Sequence, residues 1–507
     1  MANVSAPIAF GGHGPIRSRF AAQPTETSIE TPSSDALDAL DALVSDLVGA
    51  GISVSTGDVE RAEASRDWWP LAMVWALDDI VPALAALVAR PTSTEQVAAL
   101  LRIANERVVP VTAAGGRSGV CGASVPARGG IVLDLTAMVG IVAIDDDSLT
   151  VEVLPGTFGH ELEAELRARG YTLGHWPQSI ELSTVGGWLA CRSAGQYSTR
   201  YGKIEQIVVG LEVVLADGSV VRTGGFPAGS VGPDLTQLFV GSEGVLGIIT
   251  RAWLRLHPLP PAERRAAYAF ASFTDGLDAC RRMLRRGATP AVLRLYDEAE
   301  SKRSQGTEGT ANLLVLDEGE AALVEATMVI VDEECRRAGA TTLDVELVER
   351  WMHHRNDVSA LEALTRKGFV VDTMEVAGSW TVLPDLYESV RAALLAVPST
   401  RAATCHLSHS YGNGACLYFT FAATPSTDER EHTYVALWDA GQRTALAHGA
   451  NLSHHHGIGL NRARFMADAL GPALGVLASM KAALDPKGIL NPGKLGLVSS
   501  FGTPEWP

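Results

Sequence analysis

The sequence predicts an α+β chain of two domains, and three observations carry that prediction. Between Gly129 and Pro258, short β-branched runs, "GGIVLDLTAMVGIVAIDDDSLTVEVLPG" and "KIEQIVVGLEVVLADGSVVRTGG", are punctuated by Asp-Gly and Gly-Gly and interrupted by the helical pattern "TFGHELEAELRARG". Then "LHPLPPAERR" crowds prolines and charges together as a boundary would. Beyond it, helical patterns such as "GLDACRRMLRRG", "GEAALVEATMVIVDEECRRAG" and "LPDLYESVRAALLAV" alternate with the strands "AVLRLYD", "ANLLVLD" and "ACLYFTFAA".

In chain order, the Pro/Thr/Ser/Gly-rich start reads as a loose tail over 1–34. A helical segment over 35–89 opens with apolar residues at three- and four-residue intervals behind Ser34. The first domain then spans 90–260, beginning with a helix whose cap signals lie in Thr92 to Gln96 and a strand at Val108 to Thr112. A second domain covers 261–480, and "LDPKGILNPGKL" belongs to a closing segment, 481–507.

Length and composition narrow the function. The 507 residues exceed what one core usually serves. A net charge of −17 argues against a nucleic-acid surface, which needs clustered Lys and Arg. Six cysteines without a C-x-x-C pair read as reduced, buried thiols of a cytoplasmic protein. No apolar run is long and uncharged enough to span a bilayer, and the N-terminus lacks the pattern of a signal peptide.

Neither a G-x-G-x-x-G after an early strand nor a P-loop is present. Instead, small residues cluster in three places: "VTAAGGRSGVCGASVP" (Val111 to Pro126), "PQSIELSTVGGWLACRSAGQYSTRYGKIEQIVVGLEVVLADG" (Pro177 to Gly218) and "VGSEGVLGII" (Val240 to Ile249). Alone, each reads as a surface loop. Together they offer what a pyrophosphate and an adenine need, close backbone approach and successive amides without charge.

These segments, ahead of an Asp-Gly hairpin, resemble the FAD-binding domain of the vanillyl-alcohol oxidase/p-cresol methylhydroxylase (PCMH) superfamily. Within it, the chain is most similar to the alkylglycerone-phosphate synthases. The likeness runs from about Ile52 to Leu495, through "GISVSTGDVERAEASRDWWP", "PQSIELSTVGGWLACRSAGQYSTRYGKIE", "PAVLRLYD", "HSYGNGACLYF" and "LSHHHGIG". It implies a two-subdomain PCMH-type FAD-binding domain, then an α+β substrate or cap domain whose C-terminal segment returns to the first. It also implies FAD, with no attachment pattern at Cys121 or Cys191, and therefore non-covalent FAD.

Carried over residue by residue, the flavin contacts fall on Thr112, Ala113, Ala114, Gly115, Gly116, Arg117 and Ser118, and on Gln178, Ser179 and Thr184. Cys191, Arg192, Ser193, Ala194, Glu243, Gly244, Gly247, Ile248 and Ile249 complete them. The proton-transferring tyrosine falls on Tyr411, the family's arginine on Arg294 and its histidines on His454, His455 and His456. Three positions depart from the pattern. Arg117 sets charge and bulk where a small residue is usual near the pyrophosphate, Gln178 replaces an Asp, and Arg366 is only the nearest match to the substrate-phosphate arginine.

The triple histidine admits three readings. Adjacent residues on a strand face alternate sides, so His454 and His456 could meet one metal ion but all three could not. The metal-dependent hydroxyacid dehydrogenases resemble H-x-G-D-G-N-x-H with E-H-G-I-G. Here Cys416 and His455 replace two of those ligands, so no metal is expected. Structural packing is the second reading and an acid/base cluster beside the cofactor is the third; a side chain with a pKa near 6.5 suits that role. Tyr411, set among Ser410, Gly412, Asn413 and Gly414, should be unburied and would need a cation, Arg294 or a protonated histidine, to act as a base. Arg294 itself, between Leu293 and Leu295, reads as a snorkelled surface group or a buried anion binder.

The resemblance implies exchange of the acyl chain of an acylated dihydroxyacetone phosphate for a fatty alcohol, through a flavin N5 adduct and without net redox. The alternative is an FAD-linked oxidase or dehydrogenase of a D-2-hydroxy acid or other small alcohol. Expected partners are a small-molecule or lipid-like substrate and a second copy in a homodimer, with peripheral membrane contact left open.

Overall fold

The computed structural model describes residues 6–10, 15–20, 34–502 and 506. It is α+β, as the turn chemistry predicts, and three sheets organise it. The first has four strands in the order Ser53–Ser55, Leu87–Arg90, Ile131–Asp134, Val111–Ala114, with the last three parallel. Parallel strands need a crossover. Helix Thr94–Arg107 supplies it, capped by the Ser93 hydroxyl accepting from the Gln96 amide.

The second sheet is antiparallel, ordered Val220–Gly224, Val208–Val214, Ile248–Arg255, Thr150–Val153, Ile141–Asp145. Its first pair is the hairpin read from Asp217-Gly218, where Gly218 takes φ +80° beneath a Leu215–Ser219 backbone bond.

The third sheet has seven antiparallel strands: Thr341–Leu343, Ala262–Phe270, Ala311–Gly319, Val292–Tyr296, Thr400–Tyr411, Gly414–Ala423, Val370–Ser379. Helices Phe273–Arg285, Ala321–Arg337, Leu383–Ala396 and Arg430–Ala447 supply the same buried core as the apolar residues of this sheet. Leu293, Leu295, Cys405, Leu407, Leu417 and Phe419 point into that core. By the two-residue period of a strand, Arg294, His406 and Tyr418 face the other way. That alternation explains why Arg294 sits between two leucines.

The closing segment returns to the first sheet, where Val111 donates to the Ile489 carbonyl and Asn491 donates to the Val111 carbonyl, both at 2.8 Å. Two sequence expectations shift. The strand expected at Val108 to Thr112 begins at Val111, because Val108 ends the preceding helix in a left-handed conformation. Most of the expected loose tail lies outside the described residues, but within 6–10 and 15–20 Ile8 and Phe20 are buried, and Arg17–Ser18 pairs with Ile80–Val81. Among the described residues no helix is long and apolar enough to cross a membrane, and all six cysteines are free thiols.

Candidate active site

A cavity of about 860 Å³ lies between the three glycine-rich segments and the outward face of the seven-stranded sheet. That is the upper end of the range for small-molecule and cofactor sites. Its first arm is lined by 113–119, 182–184, 186–188, 190–191, 193–194, 242–244 and 247–249, mostly small residues. At several of its glycines nothing larger fits. A Cβ on Gly116 would overlap the Leu182 carbonyl, and one on Gly115 the Thr184 hydroxyl.

Little free charge enters this arm. The Arg117 guanidinium turns to Asp134 at 3.4 Å, beside the Arg90–Asp134 pair at 3.3 Å. The charge expected near a pyrophosphate is thus neutralised, and uncharged amides remain to take an anion. This cradle fits FAD.

All the expected cofactor contacts line the cavity except two. Thr112 lies in the buried strand behind it, and Arg192 turns away to Gln237 at 3.0 Å and the Val240 carbonyl at 3.3 Å. Glu243 lines the cavity but uses its carboxylate elsewhere, accepting from the Ile458 amide at 2.5 Å and the Gly459 amide at 2.9 Å.

The second arm carries titratable chemistry. Arg294 Nη2 lies 2.6 Å from His406 Nε2, and His406 Nδ1 lies 3.2 Å from Glu300. A bulge between Leu407 and His409 brings both Ser408 and His409 to the cavity wall. Tyr418 stacks on His406 (4.8 Å between centroids, 21°) and on His455 (6.0 Å, 25°), and meets His456 edge-on at 5.6 Å. Its hydroxyl donates to Thr373 at 3.0 Å, and burial pushes the phenol up from its usual range.

Histidines 454–456 occupy a loop, so the strand argument about alternate faces does not apply. A fully buried carboxylate shapes that loop. Glu375 accepts from the His455 amide (3.3 Å), the His456 amide (2.9 Å) and the Ser453 hydroxyl (2.7 Å), and pairs with buried Arg462. His456 Nδ1 stands 2.9 Å from Glu375, in ion-pair range. Burial alone would raise Glu375, but Arg462 and His456 hold it well below the usual carboxylate range. Glu375 thus holds the loop at 453–456 and Glu243 holds it at 458–459.

Several expectations need correction here. Tyr411 and His454 do not line the cavity; Tyr418, His455 and His456 do. The glycine turn does not leave Tyr411 unburied, because His454 covers it, with Oη 2.6 Å from Nε2. Burial pushes the Tyr411 phenol up, and it pushes His454 and His455 well below the ordinary histidine range. His454 and His455 therefore supply no cation to Tyr411, and Arg294 lies against His406 and Tyr296 instead, at 2.6 and 3.1 Å. Arg366 is exposed and paired with Glu362 at 2.8 Å; Arg350 and Arg355 reach the cavity instead. Arg355 stacks over Trp176 at 4.7 Å and donates to Tyr197 at 2.8 Å.

One group of described residues has metal-binding proximity: ring nitrogens of His409, His454 and His455 lie within 4.8 Å of one another. The Nδ1 atoms of His454 and His455 are 2.9 Å apart, a spacing for one shared proton.

His175 supports the first arm, with Nε2 2.8 Å from the Ser193 hydroxyl and its ring against Trp188. Burial depresses its pKa to about 3. Unfolded, it would take a proton below about pH 6.5, so its contribution to stability is full above that value and falls on acidification. His175→Gln should lose melting temperature less steeply than wild type between about pH 6.5 and 5, a difference of up to about 1.4 kcal/mol per pH unit. Thermal melts of both proteins across that range check it; parallel curves would contradict it.

Comparison with known proteins agrees with this geometry. Residues 85–224 match the FAD binding domain family and residues 259–495 the C-terminal domain of FAD linked oxidases. The uncharacterized FAD-linked oxidoreductase YgcU of Escherichia coli O157:H7 is 32% identical over 430 residues, 81% of this chain and 88% of that one. The alkyldihydroxyacetonephosphate synthase of Trypanosoma brucei brucei is 29% identical over 443 residues, 80% of this chain and 72% of that one. The glycolate oxidase subunit GlcD of Bacillus subtilis is 29% identical over 419 residues, covering 80% and 88%. A solved alkyldihydroxyacetonephosphate synthase superposes with a TM-score of 0.75 at 23% identity, over 96% of this chain and 91% of that one. With the cradle, the cap sheet and these relatives in agreement, the chain belongs to the FAD-linked oxidases, as an FAD-dependent enzyme with a PCMH-type cofactor domain.

Proposed function

We propose that this enzyme exchanges the acyl chain of an acylated dihydroxyacetone phosphate for a fatty alcohol, giving an ether. The observation that carries the reading is the stack of Tyr418 between His406 and His455, beside Arg294 and facing the cofactor cradle. FAD, held without a covalent tether, supplies the electron-accepting ring at which the carbon chemistry takes place.

The chain's own residues do the rest. Tyr418 takes the proton from the carbon beside the carbonyl, with Arg294 as the cation that partly offsets the burial raising its phenol. His455 and His456 move protons for the departing acid and the arriving alcohol. Arg294, Arg350 and Arg355 offer positive charge to a phosphate. Leu347, Trp351, Val358, Leu361 and Leu364, from helices Glu346–His354 and Ala360–Arg366 and the loop between them, line an apolar wall suited to a hydrocarbon chain.

The holoenzyme incubated with palmitoyl-dihydroxyacetone phosphate and hexadecanol should release palmitate and form the alkyl ether in equal amounts. Oxidation of a D-2-hydroxy acid without ether formation would favour the second reading, a hydroxy-acid dehydrogenase, which the likeness to a glycolate oxidase subunit supports. Acid precipitation should leave the flavin in the supernatant.

A further inference from the structure

Two side chains of the cavity wall take no part in the chemistry above. Asp67 and Trp68 come from the segment "SRDWWP", ahead of the cofactor domain matched at 85–224. Both are fixed in place. Asp67 is 1% exposed, and its Oδ1 accepts from the Trp69 amide at 3.1 Å. The Trp68 amide donates to the Gly119 carbonyl at 2.8 Å, and Pro70 then starts the helix Pro70–Ala76.

Among the described residues, Asp67 Oδ2 and Trp68 Nε1 are buried without a hydrogen-bond partner. The next tryptophan shows the contrast, since Trp69 Nε1 donates to Tyr434 Oη at 2.8 Å. A buried polar group left unpaired costs more than a hydrogen bond usually gains, so two side by side need an explanation. Burial pushes the Asp67 carboxyl up to about 7, and the Trp69 amide and Lys494 only partly offset it. Lys494 is itself bonded to the Val125 carbonyl and to Asn491.

We propose that Asp67 and Trp68 form a subsite for a hydroxyl group in this cavity. An indole N–H only donates and a carboxylate only accepts. A hydroxyl answers both, its oxygen taking the Nε1 hydrogen and its own hydrogen going to Oδ2. A phosphate or carbonyl oxygen would satisfy the indole alone, an ammonium the carboxylate alone, and a hydrocarbon neither.

Two sources of a hydroxyl suit this place. A Cβ on Gly119 would lie 3.5 Å from Asp67 Oδ2, so the pair adjoins the end of the 113–119 loop of the cofactor cradle. FAD carries hydroxyls on its ribityl chain and its ribose. On the other side, Trp68 packs on the same small core as Leu361 of the apolar wall, formed by Ala6, Ile8, Met73 and Ala76. An alcohol whose chain lies on that wall is the second source, and it alone rests on the proposed exchange reaction.

The test uses Asp67→Asn, which turns the acceptor into a donor, and Trp68→Phe, which removes the N–H. Both keep the side-chain shape, so melting temperatures should hold. Measurements at pH 8 keep the carboxyl largely ionised. One arm titrates the apoenzyme with FAD by fluorescence. The other compares binding of 1-octanol and octane to the holoenzyme by equilibrium dialysis. A cofactor hydroxyl predicts FAD binding about 5-fold weaker in both variants, the worth of one hydrogen bond. A substrate hydroxyl predicts that both variants lose about 5-fold of the preference for octanol over octane. Either loss supports the subsite. FAD affinity and octanol preference unchanged in both variants, or a loss confined to one of them, overturns it. So does an equal loss for octanol and octane with FAD affinity unchanged, which marks a general change of the wall. Neither arm measures turnover, so failure of the exchange reaction leaves the test intact.

Discussion

Tyr418→Phe should leave FAD bound and lower turnover by about 10² or more, the usual contribution of a positioned acid/base group. The substitution removes one hydroxyl, whose bond to Thr373 at 3.0 Å is worth about 1 kcal/mol. The aromatic ring stays stacked between His406 and His455, so folding changes little. The comparison with Tyr411→Phe is informative because both are phenols on neighbouring strands. Only Tyr418 lines the cavity, so its loss should lower turnover more than the loss of Tyr411. Steady-state rates of the two variants, with flavin absorbance as the control, decide it. Equal losses would mean that the cavity-facing tyrosine has no separate role.

Glu375→Ala should be the most damaging single change to the fold around the site. It strands the Arg462 guanidinium in the core and removes the acceptor for two loop amides and the Ser453 hydroxyl. Breaking a buried pair by deleting one partner costs about 3–5 kcal/mol. Urea denaturation should show a loss of that order. Where protein survives, the histidine loop should lose its position and turnover should fall with it. Glu375→Ala with near wild-type stability would show that the pair contributes little and that Glu243 alone holds the loop.

How much of this was legible in the sequence depends on the length scale. Turn chemistry and β-branched runs disclosed the strands and the α+β class, and the three glycine-rich segments disclosed the cofactor arm. Those signals are local. What the sequence hid was which way each side chain points. Tyr411 and Tyr418 lie seven residues apart, and only the strand register and the bulge at Leu407/His409 decide which one faces the cofactor. Arg366 was only the nearest match to the substrate-phosphate arginine, and its helix turns it outward to Glu362. Glu375 gave no signal, since a buried carboxylate on an apolar strand is explained only by partners distant in sequence. The doubled grip on the histidine loop by Glu243 and Glu375 joins residues 78 to 216 positions apart.

The central claim is that this cavity performs acid/base chemistry on carbon without net transfer of electrons to or from the substrate. Anaerobic mixing of the holoenzyme with D-lactate, D-2-hydroxyglutarate and glycolate, followed at the flavin band near about 450 nm, tests it most directly. The account predicts that the band keeps its full intensity with all three. Bleaching by any one of them at a rate matching turnover would contradict it and make the enzyme a hydroxy-acid dehydrogenase.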